Sequence, residues 1–254
     1  MHISIALATM VATMLVSIRL APLFLFAPVF GSMSVPPQFR MLLLLGISYL
    51  LTAALGLDLK EMPIEASSIL RAIINEIILG AVIATVVMLG FAAFLFAGRL
   101  LDLQMGFGVA ALIDFNSKAP TPLIGTALSM MAVMMFYLID GHHMLLRGVA
   151  YSFEKFPLAS GWNQIDIGYL ISFAGSLFSF GFILVAPIVL ILFLIDVGLA
   201  VMSRTMPQMN IFVIAISIKV FVGIILLALC VRYMGGITSK IFNSIFYSFE
   251  RILT

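Results

Sequence analysis

Apolar residues fill this chain in long runs rather than in alternation, and its polar residues gather in short clusters between them. The first run extends from about Ile3 to Phe30, with Arg19 near its middle and Pro22 and Pro28 beyond it. A proline inside a helix removes a backbone hydrogen bond, so the second half of this run is expected to bend or break. Gly31 to Pro37 reads as a turn, and Arg40 opens a second run from Met41 to Leu57. The third begins near Ser67 or Ser68, both N-cap candidates, and runs past Glu76 to about Gly98. Within it Ala93 and Ala97 have the small-xxx-small spacing that lets helices approach closely. The fourth, Leu123 to Ile139, is rich in methionine, meets Asp140-Gly-His-His143 and is expected to continue as helix to about Phe153. Ile167 to Met202 is the longest run and holds Pro187 and Asp196. It predicts either a strongly tilted helix or a broken hairpin. The last run, Asn210 to Met234, contains Lys219. After Gly235-Gly236, the residues Phe242, Ile245, Phe246, Phe249 and Ile252 recur at helical spacing. They predict a C-terminal amphipathic helix over 237–254 that docks or lies at an interface.

One stretch fits no run. Gly98 to Pro122 carries Arg99, Asp102, Asp114 and Lys118, the amide Gln104, three glycines and two prolines, with apolar residues threaded through. A connector that only crossed a headgroup region would be shorter and more uniformly polar. Arg99 and Asp102, three apart on a helix end, are expected to brace its base.

Composition sharpens the class. Of 254 residues 63% are hydrophobic and 9% charged, against about 45–50% and about 25% in soluble domains. Runs able to cross about 30 Å of hydrocarbon recur. They are too long and continuous for the alternating strands of a barrel. The chain is therefore an integral membrane-type all-α protein. Its net charge of +2 is too small to argue for nucleic acid, and Cys230, the single cysteine, excludes an internal disulfide. Residues 1–15 lack a positive n-region, so the first run reads as a retained helix rather than a signal peptide. Lysine and arginine positions do not decide an orientation.

Arg19, Glu76, Asp140, Asp196 and Lys219 are the ionisable groups inside apolar runs. A charge at the centre of a membrane helix costs about 2.5–3.5 kcal/mol, so each needs a partner or water. Such charges mark either a substrate path or inter-helix and inter-subunit pairing. Their scatter, one per helix, favours pairing over a transporter-like cluster. Asp140 and His143 share a helical face and His142 does not, which leaves two ligands where zinc takes three or four. No metal and no catalytic set is assigned: the aspartates lack a protease signature, and Gly106-Phe-Gly108 follows no strand and so is no phosphate cradle.

Several pieces together resemble one family. Gly98-Arg99-Leu-Leu-Asp102-Leu-Gln104-Met-Gly106-Phe, followed by an Asp-containing turn, is similar to the signature of the FliR family of flagellar type III export gate components. Arg19 with Pro22 and Pro28, Val35-Pro36 with Arg40, and His142-His143 followed by Ser152-Phe153 and Pro157 match in the family's order. The most specific piece is Arg204-Thr-Met-Pro207-Gln208-Met-Asn210-Ile-Phe212 with Lys219. Asp114-Phe115 stands where the family usually has Asp-Pro, and Ala215 and Ser217 where it tends to have glycine and proline.

The resemblance implies a single FliR-like domain over 1–254, built of long kinked helices arranged as stacked helical hairpins within a FliP/FliQ/FliR-like hetero-oligomer. FlhB-like docking on the outside, unfolded export substrates, a basal-body ring and a place largely on the periplasmic side of the bacterial inner membrane belong to the same expectation. No enzyme activity and no cofactor are implied. A pore plug is expected over 98–122, with Met105, Gly106, Phe107, Gly108, Asp114, Phe115, Pro120 and Pro122 forming the closure. Arg19, Glu76, Arg99, Asp102, Gln104, Asp140, His143, Asp196, Arg204, Pro207, Gln208, Asn210 and Lys219 are expected at assembly contacts. The equivalent subunit of a virulence injectisome is the nearer alternative. A small-solute transporter is the more distant one, since it would show two related halves with paired broken helices.

Overall fold

The computed structural model describes residues 2–31, 36–57, 66–107, 122–160, 166–205 and 211–252. These residues form helices α1 (His2–Phe26), α2 (Pro28–Gly31), α3 (Pro37–Leu55), α4 (Ala66–Met105), α5 (Leu123–Leu138), α6 (Gly141–Lys155), α7 (Ile167–Thr205) and α8 (Ile211–Ile252). The all-α class is as the apolar runs require. Among the described residues five helices are long and apolar enough to cross a membrane, or six if α5 and α6 make one broken span. With 40, 39 and 42 residues, α4, α7 and α8 are each about 60 Å long at 1.5 Å per residue. That is twice the thickness of a hydrocarbon core.

Three boundaries differ from the sequence pattern. Helix α4 runs on past Gly98 to Met105, taking Arg99, Asp102 and Gln104 into its last turns. It ends where Gly106 adopts φ +86° and donates its N–H to the Leu103 carbonyl, a conformation that glycine enters without steric cost. The run expected to continue through Asp140 is instead broken there. Ile139 and Asp140 form a turn, and Asp140 sits at φ 56° as the N-cap of α6. Of the two readings of the longest run, α7 takes that of one continuous helix, with Pro187 inside it and Leu184, Val185, Ile188 and Leu192 buried near the proline. Gly235 and Gly236 likewise lie inside α8, so 237–254 begins as a continuation of that helix rather than as a separate one. Glycine costs a helix about 1 kcal/mol per residue. Burial of Met234, Thr238, Ile241, Phe242, Ile245, Phe249 and Ile252 along one face outweighs that cost.

By packing, the chain forms two compact units, and each of α4, α7 and α8 contributes residues to both. The first unit comprises Met1–Leu89, Asp140–Phe173 and Ser244–Thr254. In it α3 packs along α1 with an inverted polarity: its buried residues are Ser48 and Thr52, while Phe39, Met41, Leu42, Tyr49 and Leu50 are exposed. Both hydroxyls return to the carbonyls four residues earlier, Leu44 and Ser48, at 2.7 and 2.8 Å, so they enter the contact already satisfied. The second unit comprises Gly90–Ile139 and Ala174–Asn243. Its centre is aromatic: the Phe242 ring lies 5.4 to 5.8 Å from those of Phe91, Phe94 and Phe136, within the range where ring edges and faces attract.

Candidate functional site

The polar, glycine-rich stretch is held from its own base, in the second unit. Asp102 is 5% exposed. Its two carboxylate oxygens accept the backbone N–H groups of Ile124 and Gly125 at 2.9 and 3.1 Å. These donors open α5, whose N-cap residue is Pro122, and no side chain caps that end locally. Asp102 thus supplies the cap from a neighbouring helix, satisfying donors that a helix start leaves orphaned and placing its charge at the positive end of the dipole. One turn earlier, Gly98 permits the contact: a Cβ there would fall on the Gly125 backbone. One turn later, Met105 is fully buried, and a Cβ on Gly223 of α8 would meet its Cε at 2.7 Å. Both ends of the segment between Gly106 and Pro122 are therefore tied to the last turns of α4.

The expected brace between Arg99 and Asp102 does not form. Arg99 is exposed, and the aspartate is taken by the α5 amides. An exposed pair three residues apart contributes about 0.2–0.5 kcal/mol, whereas two buried amides left without an acceptor cost about 1–3 kcal/mol each. Replacing Asp102 by alanine should accordingly lower the stability of the detergent-solubilised chain by about 2–6 kcal/mol. Asp102→Asn, which keeps one acceptor, should lose less in the same thermal unfolding experiment. Equal stability of all three proteins would refute the cap.

Gln104, Phe107 and Pro122 are half-buried around this base. Gly108, Asp114, Phe115 and Pro120 lie outside the described residues, as do Pro207, Gln208 and Asn210. Arg204 is exposed in the last turn of α7.

The first unit holds a buried ionic knot. Arg19 and Glu76 have fully buried side chains. The arginine Nε donates to Glu76 Oε2, and Nη2 donates to Glu76 Oε1 at 3.1 Å and to the Phe156 carbonyl at 2.9 Å. Its Nη1 donates to the carbonyl and hydroxyl oxygens of Ser152 at 3.1 and 3.3 Å. All five guanidinium donors are used. Two of the acceptors are carbonyls at the C-terminal end of α6, where a cation is also favoured by the helix dipole. The Phe153 ring lies 4.1 Å below the guanidinium, a cation–π contact. Glu76 Oε1 also accepts the N–H of Ala159 at 3.1 Å. That contact compensates a left-handed alanine at φ 65°. Gly80 lets α4 pass against the Arg19 carbonyl, where a Cβ would collide.

Asp196 and Lys219 pair between α7 and α8 at 2.8 Å, and His143 Nδ1 lies 3.4 Å from Asp140 Oδ1. Of the five embedded charges singled out in the sequence, Arg19, Glu76, Asp196 and Lys219 thus pair within the chain itself, and Asp140 is exposed beside His143. What the sequence did not single out is a set of partners and notches: the Phe156 carbonyl, the Ala159 N–H, Gly80, Gly125 and Gly223. A signal for the first existed, because an arginine with one carboxylate partner still has donors to place, and the helix end before Pro157 offers carbonyls.

An all-helical chain with membrane-length apolar helices and internally paired charges is a membrane-type scaffold. The model for bacterial export proteins, family 1, matches residues 10–245. The flagellar biosynthetic protein FliR of Bacillus subtilis strain 168 is 30% identical over 239 residues, covering 91% of this chain and 90% of that protein. Its counterpart in Pectobacterium carotovorum is 29% identical, covering 93% and 90%. The Escherichia coli K12 protein of the same name is 27% identical, covering 90% and 87%. The chain belongs to this export family, in its FliR branch, and is a component of flagellar type III protein export.

Proposed function

We propose that this chain is a core, non-enzymatic subunit of the flagellar export gate, in which the segment from Gly106 to Pro122 closes the pore for unfolded flagellar proteins. The observation that carries this proposal is the double anchorage of that segment on α4, with Asp102 holding its far end and Met105 its near end. A closure needs fixed ends and a span between them, and glycine and proline at its margins suit sharp turns. Met105, Phe107 and Phe115 supply apolar packing, while energy comes from other parts of the export machine, so no cofactor is needed. Deleting Val109 to Asp114 is expected to raise ion leak through the closed gate in reconstituted assemblies. An unchanged closed-state conductance would sink the proposal.

The chain assembles, on this proposal, as one domain with FliP-like and FliQ-like subunits, with an FlhB-like subunit outside and a basal-body ring around it. Large exposed apolar faces support it: α3 buries only two hydroxyl-bearing residues, and Leu190, Phe193, Leu194, Phe221 and Leu229 on α7 and α8 are uncovered. Faces of this size mark contact with lipid or partners. Helices about 60 Å long, twice the hydrocarbon thickness, fit a chain that reaches beyond the inner membrane, on this proposal largely to its periplasmic side. The flagellar names of the relatives favour the flagellar system over the injectisome.

A further inference from the structure

We infer that Asp140, His142 and His143 form a binding site for a divalent first-row transition ion, with Zn2+ as the representative ligand. Each residue offers one ligand atom, and these atoms all lie within 4.8 Å of one another. Two ligands bound about 2.1 Å from one tetrahedral ion lie about 3.4 Å apart; Asp140 Oδ1 and His143 Nδ1 already have that separation, and side-chain rotations closing the remaining gaps by up to about 1.4 Å would gather all three.

Two features of the turn go beyond proximity. Side chains of adjacent helical residues diverge by about 100°, yet the rings of His142 and His143 lie with centroids 4.1 Å apart. Aspartate at an N-cap ordinarily accepts the N–H of the second or third helical residue. Asp140 makes no such side-chain bond. The helix start is served instead by its backbone carbonyl, which accepts the His143 N–H at 3.0 Å. The carboxylate is turned onto the imidazole, 3.4 Å from Nδ1. The left-handed backbone at Asp140 produces that direction, and a non-glycine residue adopts it at a cost of about 1–3 kcal/mol.

Two imidazoles and one carboxylate suit zinc, nickel or copper rather than the oxygen-only preference of calcium or magnesium. Three protein ligands leave open positions for water. Side chains 64% and 74% exposed at His143 and Asp140 leave an entry path. A bound ion would clamp the break before α6, joining the turn to the first turn of that helix.

The test is Zn2+ titration of the full-length, detergent-solubilised chain purified without a polyhistidine tag. One ion per chain is expected, with affinity in the micromolar range, weakened at least about tenfold in Asp140→Asn, His142→Gln and His143→Gln. Asparagine is chosen at 140 because it tolerates the left-handed backbone. Absence of saturable binding, or binding unaffected by all three substitutions, overturns the site. Should a variant fail to fold, the native chain answers alone. Zn2+ must protect His142 and His143, but not His2, from diethylpyrocarbonate modification read by mass spectrometry; equal labelling with and without the ion overturns the site as well.

Discussion

Arg19→Ala should destabilise the chain by about 3–5 kcal/mol. The substitution does more than delete one ion pair. It leaves the buried Glu76 carboxylate with only the Ala159 amide, and it removes one donor each from the Ser152 carbonyl, which keeps the Phe156 N–H, and the Phe156 carbonyl that ends α6. Arg19→Lys should recover little, since a point-like ammonium with three donors cannot replace a five-donor fork that also lies on the Phe153 ring. Removing both charges is predicted to behave differently. When a buried pair is replaced by apolar residues of similar volume, the desolvation cost vanishes with the attraction, so Arg19→Met with Glu76→Leu should be markedly more stable than Arg19→Ala alone. Chemical unfolding in detergent, arranged as a double-mutant cycle, measures the difference. A loss below about 1 kcal/mol for Arg19→Ala, the level of exposed ion pairs, would show that the knot is not structural.

The second large effect is expected at Gly98. A Cβ there would strike the backbone of Gly125 and Ile124, and backbone has no rotamer by which to yield. Gly98→Ala therefore must push α4 away from α5. Asp102, one turn further along α4, would be drawn off the amides it caps. Overpacking costs about 1–3 kcal/mol, and the strained cap adds to it. Helix propensity acts in the opposite sense, favouring alanine by about 1 kcal/mol. Gly46→Ala isolates that opposing term, because a Cβ there meets nothing within 4 Å. Thermal unfolding of the two variants should thus move in opposite directions, Gly46→Ala slightly up and Gly98→Ala clearly down. A Gly98→Ala protein as stable as Gly46→Ala would mean that the close approach of α4 and α5 is not required.

The helices were readable from the chain because apolar length is a local signal: the runs around Arg19, Glu76, Asp140, Asp196 and Lys219 became α1, α4, the α5–α6 break, α7 and α8. Helix ends were less readable. Gly98 looked like a terminus and is a packing notch, whereas Gly106 is the terminus. Gly235 and Gly236 resembled a break and lie within a helix, since burial further along α8 outweighs their intrinsic cost. A glycine in sequence states only that a side chain is missing, and its neighbours decide what the vacancy is for.

Partner choice was the least legible part of the site. Arg99 and Asp102 satisfied the helical spacing rule, and the aspartate went to α5 instead. His142 was separated from Asp140 and His143 by an assumed regular helix, yet all three lie together where Asp140 caps α6. By itself the sequence determined that this is an all-α membrane-type chain, which residues are too polar for their surroundings, and that each of them needs a partner. Only the tertiary structure decided which partner each one takes. Hydrophobic run length is set by neighbours along the chain, but a buried guanidinium or carboxylate is satisfied by whatever donors and acceptors packing delivers across distances of 22 to 137 residues. The segment from Gly106 to Pro122 shows both sides of this. Its composition marked it as unusual, and its anchorage through Asp102 and Met105 exists only because α4, α5 and α8 meet where glycines allow them to.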